Sequence, residues 1–385
     1  MLGIALLGAG AIAGVHADAF LRFSGQCQIR AVCARHLDKA RNLIERKGLS
    51  AATACEGIDE ALSRDDIDAV AICTPPGAHT EAAVKALRAG KHVLVEKPMA
   101  PSLAECDQMI RAAEMSGKIL SPIAQNRYKT PYHKMARLLK AGVGGPTKHV
   151  IVNSLWWRGA NYYDIWWRGT WDSESGGCVM NHAVHHLDLL LWMAGMPERV
   201  TAVIANVAHD NSECEDLGVA ILEYQGFLAQ MTASLVTHDE EQEIVFQTEK
   251  GRLSVPWKTA ASLARPNGFP ETDSEGRARL EREYERLPAL DLEGHPAQVR
   301  NFLDAIHGRD ELLITARDGR NVIELIMAIY KAAQSHAPVA LPISPDDAFY
   351  RHASMAAAMP RFHQKTKSVE RSEALEIKLG RDVGR

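Results

Sequence analysis

Lys97 is the first residue whose type and position could carry chemistry. It lies in Glu96-Lys97-Pro98, directly after the apolar run HVLV, so we expect it at the carboxyl end of a buried strand. A lysine there can orient a substrate hydroxyl and stabilise a developing alkoxide. The same lysine could equally be an ordinary surface residue, and the local sequence leaves both interpretations open.

A histidine-rich run, SGGCVMNHAVHHLD at 175–188, forms a second group. If a helix begins near 180, then Asn181, His185 and Asp188 share one face, at positions i, i+4 and i+7. A histidine suits proton transfer because its ordinary pKa lies near neutral pH. A core histidine bonded to its neighbours is the alternative. The HxxxH spacing also raises the question of a zinc site, but no second cluster supplies the remaining ligands, so we expect no metal.

Aromatic residues are concentrated in a third stretch, SLWWRGANYYDIWWRGTW, which holds five of the seven tryptophans. Their faces, with Arg158 and Arg168 nearby, suit stacking on sugar rings or burial in a subunit interface. For any single tryptophan, core packing is the alternative. We expect the tryptophan and arginine side chains of this stretch to shape a substrate pocket.

The amino terminus carries a glycine pattern typical of a dinucleotide site. Gly8-Ala-Gly10-Ala-Ile-Ala13 fits GxGxxG/A between a strand-like LGIALL and a helix-like AIAGVHADAF. Gly8 would make the tight turn, Gly10 would admit a diphosphate, and Ala13 would let helix and strand pack closely. We expect Ala11 and Ile12 to complete this contact at the helix N-terminus. A glycine-rich turn that binds nothing is the alternative.

The end of the second predicted strand bears on the choice of cofactor. An acidic residue there would hold the ribose 2′-hydroxyl of NAD, but the chain has Ala34-Arg35. A missing acid and an available arginine favour the 2′-phosphate of NADP. If Arg35 is only a solvated surface residue, NAD binds through other contacts.

Two more predicted strands end in polar or turn-forming residues. They are followed by Thr74-Pro75-Pro-Gly-Ala-His79 and by Glu96-Lys97. Open α/β sheets bind ligands at the carboxyl ends of their strands. We therefore expect Thr74, Pro75, His79, Glu96 and Lys97 to lie near the cofactor.

The overall composition excludes several function classes. The 385 residues are 46% hydrophobic and 24% charged with a net charge of −4, which is ordinary for a soluble chain of about two domains and gives no basic excess for nucleic acid. The seven scattered cysteines form no CxxC pair and favour reduced thiols in the cytoplasm. The uncharged first fifteen residues lack a preceding basic region, so we expect neither a targeting segment nor a membrane helix.

The predicted elements divide the chain into two domains and a tail. Within 1–125, five apolar runs alternate with helices near 11–23, 37–48, 79–89 and 102–117, the last opening with a capping box at Ser102-x-x-Glu105. This alternation predicts a parallel, doubly wound sheet.

Within 126–360, longer strands with turns at Gln225-Gly226 and Lys250-Gly251 predict a largely antiparallel sheet. Helices are predicted near 181–195, 295–307 and 315–335, and 265–290 is predicted to be a loop. The charged tail 361–385 is either an arm that grips a partner subunit or a loose end.

Taken in order, these motifs resemble the glucose–fructose oxidoreductase / inositol dehydrogenase (Gfo/Idh/MocA) family. The matching segments are GAGAIAGVHA, CTPPGAH, VEKPMA, QNRY, WRGTW, SGGCVMNHAVHHLD, GHPAQVRNFLDAIHGR and ARDGRNVIELIMAIYKAA. They span roughly residues 2–345. The resemblance implies an α/β N-terminal Rossmann domain plus an α+β C-terminal domain with an open-faced, largely antiparallel sheet.

The resemblance also implies a nicotinamide-dependent oxidoreductase acting on a sugar or cyclic polyol, with NAD(P) as cofactor. Lys97 falls on the family's EKP lysine, where a cis bond before Pro98 is common, and His185 falls on its catalytic histidine. Asn181 falls where many relatives have Asp, so whether His185 or Lys97 is the main proton acceptor stays open. We expect further contacts to the cofactor from Asn126, Trp167 and Arg168, and to the substrate from Arg127, Trp157, Tyr163, Asn181 and His185.

Two alternatives to a sugar oxidoreductase remain. One is a dehydrogenase of the same fold acting on a dihydrodiol or another non-sugar substrate. The other is a catalytically silent nucleotide sensor, against which the presence of both Lys97 and His185 argues. A homodimer or homotetramer through the C-terminal sheet is expected, because an open apolar face needs covering.

Overall fold

The computed structural model describes residues 1–370, so the predicted tail at 361–385 lies partly outside the described residues. Its described part contacts the protein's own chain, since Phe362 N–H donates to the Glu213 carbonyl at 3.1 Å and Val369 N–H to the Asp164 carbonyl at 2.7 Å. Among residues 1–370, no helix combines the length and apolarity needed to cross a membrane.

The amino-terminal sheet contains six parallel strands. They are β1 (Leu2–Leu7), β2 (Cys27–Cys33), β3 (Thr53–Cys55), β4 (Ala69–Ile72), β5 (His92–Val95) and β6 (Leu120–Pro122). Their order is β3-β2-β1-β4-β5-β6, which reverses between β1 and β4. Ligands of such sheets bind in the crevice at this reversal, beside the carboxyl ends of the strands.

Five helices cover the two faces of this sheet. They are α1 (Ala11–Leu21), α2 (Leu37–Lys47), α3 (Ile58–Leu62), α4 (His79–Arg88) and α5 (Leu103–Ser116). Because both faces are covered, β4 consists entirely of buried apolar residues, which confirms the predicted parallel, doubly wound sheet. The sequence pattern missed β3 and α3, since a strand of three residues carries too short an apolar run.

The second sheet contains eight of the remaining strands. These remaining strands are β7 (Thr147–Leu155), β8 (Arg199–Ala205), β9 (Leu217–Tyr224), β10 (Phe227–Ser234), β11 (Gln242–Thr248), β12 (Gly251–Val255), β13 (Thr259–Ala260), β14 (Ser262–Ala264), β15 (Pro270–Thr272) and β16 (Val339–Ala340). The sheet order is β13-β12-β11-β7-β10-β9-β8-β16, while β14 and β15 form a separate pair. All pairs are antiparallel except β7 with β10, so the sheet is mixed and mostly antiparallel.

Seven helices accompany these strands. They are α6 (Thr130–Lys140), α7 (Trp171–Glu174), α8 (Val184–Ala194), α9 (Ser274–Arg286), α10 (Gly294–Ile306), α11 (Ala316–Ser335) and α12 (His352–Ala358). Helix α11 packs along β8 and α8, and also on α5, while α10 packs on α1. The carboxyl-terminal helices therefore join the two sheets into one packed body. The other face of the second sheet stays open and exposes Val203, Val219, Ile221 and Leu228.

Several local predictions are wrong, for identifiable reasons. The segment 265–290 is not a loop, because α9 forms there and its polar sequence buries only Gly276 and Leu280. The turn between β11 and β12 is Glu249-Lys250 rather than Lys250-Gly251. Gly251 already pairs with Thr248 at a φ of +155°, and a Cβ there would lie 2.5 Å from the Ala260 carbonyl oxygen.

The helix predicted at 102–117 is confirmed, but its predicted capping box does not form. The Ser102 hydroxyl donates to the Glu105 carboxylate at 2.7 Å and caps no backbone N–H group. A reciprocal capping box forms instead at the start of α11, between Thr315 and Asp318.

A buried ion-pair cluster fixes the turn that follows β6. The Arg127 guanidinium donates to both oxygens of Asp188, at 2.7 and 2.9 Å, and to Asp318 at 3.1 Å. Asp188 lies in α8 and Asp318 in α11, so the cluster joins this turn to two helices of the second domain. Only 2% of Arg127 is exposed. The structure thus places the predicted substrate ligand Arg127 in the core, with its donors already used.

Candidate active site

The glycine turn after β1 has the geometry of an anion cradle. Gly8 has a φ of +112°, and a Cβ there would lie 2.7 Å from the Cys73 carbonyl oxygen, so only glycine fits without strain. Gly10 caps α1 with extended backbone and no side-chain cap, and the space around its missing Cβ is open. Ala11 and Ile12 begin the helix, which has no acidic residue in its first turn, and Ala13 is buried. The N–H groups at this end of α1 can therefore bind a diphosphate.

The segment after β4 contains a hydroxyl without a partner, on Thr74, and a histidine that contacts the backbone through both ring nitrogens, His79. The Thr74 hydroxyl is buried and has no partner among the described residues, so it can bond a ligand. Pro75 directly precedes the short 3-10 turn Pro76–Ala78. His79 is fully buried, with Nδ1 2.9 Å from the Pro98 carbonyl oxygen and Nε2 2.8 Å from that of Thr74. Both ring nitrogens of His79 therefore already face backbone carbonyls, and its place near the cofactor stays a prediction.

Glu96 is also engaged inside the protein. Its carboxylate contacts His16 Nε2 at 2.8 Å and accepts from the Lys97 N–H at 3.2 Å. Burial alone would lower the pKa of His16, but Cys73 and Glu96 raise it to about 10. His16 and Glu96 thus form a buried ion pair that holds α1 against the EKP segment, and the place of Glu96 near the cofactor stays a prediction.

His295 adds a third group, with Nε2 3.7 Å from Glu96. Among the described residues this is the one set of histidines and acids with metal-ligand spacing. A metal needs unprotonated imidazole nitrogens. In the structure His16 Nε2 is bonded to Glu96 instead, so this nitrogen is available to a metal only if that bond breaks.

Lys97 reaches across from the first domain to the second. It precedes Pro98 through a cis bond, as the resemblance implied, and its Nζ donates to the backbone carbonyl of Asn181 at 2.9 Å. Burial lowers the pKa of Lys97, and the nearby cations of Arg168 and Arg158 lower it further, whereas Glu96 opposes them. The Asn181 carbonyl that holds the lysine is a neutral acceptor, and it leaves the other two N–H groups of the ammonium available.

The prediction that Asn181 shares one face of an α-helix with His185 and Asp188 is wrong in detail. Residues Val179–Ala183 form a π-helical segment, and the α-helix begins only at Val184. The Asn181 side chain turns back and donates to the carbonyls of Gly176 and Gly177, at 2.9 and 3.3 Å. Its amide nitrogen therefore does not hold His185, and its backbone carbonyl is what meets Lys97.

His185 and Lys97 nevertheless line the same small cavity, together with Met99, Val184 and Asp188. The cavity volume is about 20 Å³, which is room for about one water molecule. Burial lowers the pKa of His185 well below its ordinary 6.5, and Lys97 lowers it further. His185 is therefore neutral at pH 7 and able to accept a proton.

The aromatic stretch contributes a wall beside these groups. The Arg168 guanidinium lies 4.1 Å from the ring centres of both Tyr162 and Trp167 and donates to Glu174 at 2.6 Å. The Tyr162 hydroxyl lies 3.3 Å from His182 Nε2. Trp167 and Arg168 are thus together, as expected. Tyr163 is only 1% exposed and packs on His209, so the structure does not bring this predicted substrate ligand to the pocket.

The remaining predicted site residues lie at the edges of the candidate active site. Asn126 is in the 3-10 turn Gln125–Tyr128 directly after β6. Ala34 follows β2, and its N–H donates to the Cys55 carbonyl. The exposed Arg35 lies over the Trp166 ring, 4.8 Å from its centre. Trp157 is 47% exposed on the outer side of the aromatic wall.

Comparison with known proteins decides the family. A model described as "Oxidoreductase family, NAD-binding Rossmann fold" matches residues 2–123, and a "GFO/IDH/MocA C-terminal domain" model matches residues 132–254. The chain belongs to the Gfo/Idh/MocA family. The protein is therefore an oxidoreductase with an NAD-binding Rossmann fold, and the family resemblance predicted from its sequence is confirmed.

Individual members of the Gfo/Idh/MocA family show how far the likeness extends. The WlbA dehydrogenase from Bordetella pertussis, solved with NADH and UDP-GlcNAcA, is 27% identical with a TM-score of 0.76, over 89% of this chain and 98% of that one. D-glucoside 3-dehydrogenase of Escherichia coli is 23% identical over 88% of this chain and 97% of its own. A 1-carboxy-3-chloro-3,4-dihydroxycyclohexa-1,5-diene dehydrogenase of Comamonas testosteroni is 28% identical over 71% and 67%.

Sequence reasoning missed the residue that holds the π-helical segment in this Gfo/Idh/MocA protein. Glu215 is fully buried and accepts from the N–H groups of Gly177 and Val179, both at 3.0 Å, and from the Tyr330 hydroxyl at 2.9 Å. A Cβ on Gly177 would lie 1.8 Å from the Glu215 carbonyl oxygen, which explains glycine there. The sequence around it, HDNSECED at 209–216, is polar and acidic throughout, so no local signal separates Glu215 from its neighbours.

We predict that Glu215→Gln changes the pH dependence of stability. Burial raises the pKa of Glu215 to about 7, so the folded state binds a proton that the unfolded state releases near pH 4.5. This group's contribution to stability is therefore lost as pH rises from 4.5 through 7. The neighbouring thiols of Cys178 and Cys214 have raised pKa values and stay neutral over this range.

Glutamine cannot ionise, so the unfolding free energy of the variant relative to the wild type should rise by about 2–3 kcal/mol between pH 5 and pH 8. Urea unfolding at the two pH values measures this difference. A difference that stays constant with pH would contradict the assignment.

Proposed function

We propose that the protein transfers a hydride reversibly between nicotinamide C4 and a ring carbinol or ketone of a sugar or cyclic polyol. The observation that carries this proposal is that Lys97 and a neutral His185 line one small cavity beside the carboxyl edge of the dinucleotide-binding sheet. With room for about one water molecule, this cavity would hold the reacting hydroxyl, and the ring itself would lie outside it. The aromatic wall of Tyr162, Trp167 and Arg168 beside them suits a ring substrate.

The residues present fit a nicotinamide dinucleotide. Gly8, Gly10 and the N-terminus of α1 would hold its diphosphate, and the unpartnered Thr74 hydroxyl would add a donor at the same edge. When bound, the nicotinamide supplies the hydride acceptor. Residues 1–125 would serve as the dinucleotide-binding domain, and 126–360 would supply the substrate pocket.

The roles of the catalytic residues follow from their contacts. The Lys97 ammonium would donate to the substrate hydroxyl and stabilise the developing alkoxide, while the Asn181 carbonyl fixes its position. An imidazole nitrogen of His185 would accept the hydroxyl proton during oxidation and return it during reduction. Asn181 acts here through its backbone, so it is a positioning residue.

For the cofactor, we propose NADP over NAD. The two residues directly after β2 are Ala34 and Arg35, so no acid stands at the strand end to bond a ribose 2′-hydroxyl, and the Arg35 side chain is exposed there. Stacking on Trp166 holds the guanidinium while its N–H groups remain available to a phosphate.

We also propose a homodimer or homotetramer formed through the open face of the second sheet. Val203, Ile221 and Leu228 are exposed there on three adjacent strands, an apolar surface of the kind that subunits cover. The seven buried free thiols favour a reducing compartment such as the cytoplasm.

A dihydrodiol substrate is the second candidate. Oxidation of a ring diol needs the same lysine and histidine, and the aromatic wall accommodates an unsaturated ring equally well. The likeness to the Comamonas testosteroni diene dehydrogenase supports this candidate. A panel of sugars, inositols and dihydrodiols, followed through NAD(P)H absorbance, separates the two.

Lys97→Met should lower turnover at least about 100-fold while leaving NAD(P)H affinity unchanged, because the ammonium group acts on the substrate oxygen. Initial rates on the best panel substrate and cofactor titration by calorimetry measure the two effects. Lys148→Met, a surface change on β7, is the control and should behave as the wild type. Normal turnover by Lys97→Met would overturn the assignment.

Arg35→Ala should raise the KM for NADP about tenfold or more, because it removes a charged hydrogen bond to the 2′-phosphate. The KM for NAD should change little. Arg41→Ala, an exposed arginine on α2, provides a matched control. An equal effect of Arg35→Ala on the KM for both cofactors would mean that Arg35 does not bind the 2′-phosphate.

A further inference from the structure

The segment 362–369, which we call the strap, lies along the aromatic stretch and pairs with its backbone. The Val369 N–H donates to the Asp164 carbonyl at 2.7 Å, and the Val369 carbonyl accepts from the Trp166 N–H at 3.0 Å. Together these two hydrogen bonds form a parallel bridge between Val369 and Ile165. The strap therefore holds the backbone of the aromatic stretch on both sides of Ile165.

Lys365 adds a charged donor to this pairing. Its Nζ donates to the backbone carbonyl of Tyr163 and, at 3.2 Å, to that of Ile165. Partial burial lowers the pKa of Lys365, whereas the nearby carboxylates of Asp164 and Glu174 oppose this shift. Hydrogen bonds from a charged donor are stronger than neutral ones. The ammonium group thus fixes two successive turns of the backbone on the amino-terminal side of Trp166.

Asn211 attaches the strap to the interior of the second domain. Its side-chain oxygen accepts from the N–H groups of Thr366 and Lys367, at 2.7 and 2.9 Å. Its amide nitrogen donates to the Asp164 carboxylate at 2.9 Å and to the Lys367 carbonyl at 3.1 Å. Because Asn211 is buried, the strap and the aromatic stretch are both held by a group that has little freedom to move.

The backbone that the strap holds carries Trp166 to the first domain. Residues 165–170 belong to no helix or strand, so their own secondary structure does not fix them. The Arg35 guanidinium nevertheless lies over the Trp166 ring, 4.8 Å from its centre, across the boundary between the two domains. Arg35 is exposed and forms no salt bridge within residues 1–370, so its guanidinium depends on Trp166 for a fixed position.

We propose that the strap sets the choice of cofactor, because Lys365 and Val369 hold Trp166 where it positions Arg35 for the 2′-phosphate of NADP. This inference rests on the proposed function, which places that phosphate at Arg35. An arginine already held in its binding position loses less side-chain freedom when the phosphate binds, so NADPH binds more tightly. NADH lacks the phosphate, and its affinity should not depend on the strap. Lys365 and Trp166 are therefore positioning residues.

The test measures the ratio of NADPH affinity to NADH affinity, from the Kd of each cofactor in calorimetric titrations of the full chain. Lys365→Met removes the ammonium group and Trp166→Ala removes the ring. Each should lower the ratio about threefold or more, mainly through a higher Kd for NADPH. Lys367→Met is the matched control and should leave the ratio unchanged, because the Lys367 side chain is exposed and its bonds to Asn211 come from the backbone.

The Arg35→Ala background separates this positioning role from a general loss of stability. In that background, Lys365→Met should not lower the ratio further, because Lys365 acts on the phosphate through Arg35. A change that merely loosened the fold would weaken the binding of both cofactors alike. An unchanged ratio in both Lys365→Met and Trp166→Ala would therefore overturn the inference, whatever happens to the individual affinities.

The same titrations distinguish failure of this inference from failure of the proposed cofactor. If Arg35→Ala lowers the ratio but Lys365→Met and Trp166→Ala do not, Arg35 binds the phosphate without help from the strap, and the inference alone is wrong. If Arg35→Ala leaves the ratio unchanged, the proposal of NADP at Arg35 is wrong, and the inference fails with it.

Discussion

One hydrogen bond joins the two halves of the candidate active site: the Lys97 ammonium donates to the Asn181 carbonyl across the boundary between the two sheets. A buried ammonium group needs an acceptor, since burial without one is costly. A carboxylate would hold the lysine more strongly but would compete with the substrate for its protons. A single neutral carbonyl orients the group and leaves donors for a substrate oxygen.

The chain segments on both sides of this hydrogen bond are held in place by buried polar groups rather than by the secondary-structure propensity of their residues. On the first side, His79 ties the Thr74 carbonyl to that of Pro98, and the His16–Glu96 ion pair secures the EKP segment to α1. On the second side, Glu215 binds two backbone N–H groups at the start of the π-helical segment and so sets where the Asn181 carbonyl lies. Such π-helical segments occur frequently at functional sites, where they redirect single groups.

The sequence predicts the parts of the site that depend on local pattern. Glycines 8 and 10, the parallel strands and the position of Lys97 at a strand end all follow from short motifs in a regular context. His185 is found by its motif, and the structure places it in the same cavity as Lys97. The helix at 274–286 escapes prediction because its surface is polar on nearly every side.

The rest depends on distant pairings that a local pattern does not contain. Arg127 pairs with the buried Asp188 and the partly exposed Asp318, and Tyr163 packs in the core beside His209, although both residues stand next to plausible ligands in the sequence. Glu215 meets its partners only after β9 and the segment at 176–179 have packed together. Asn181 illustrates the limit: the motif points to this residue, but the contact that it makes with Lys97 is through its backbone carbonyl.

The central claim is that a neutral His185, beside Lys97, accepts the substrate proton. The pH profile of kcat/KM for oxidation tests it most directly, in the wild type and in His185→Gln. Because burial and Lys97 lower the pKa of His185, the wild-type rate should fall with decreasing pH only well below 6.5, where the imidazole becomes protonated. Loss of that acidic limb in the slower His185→Gln variant is the predicted result. An identical acidic limb in both proteins would contradict the account.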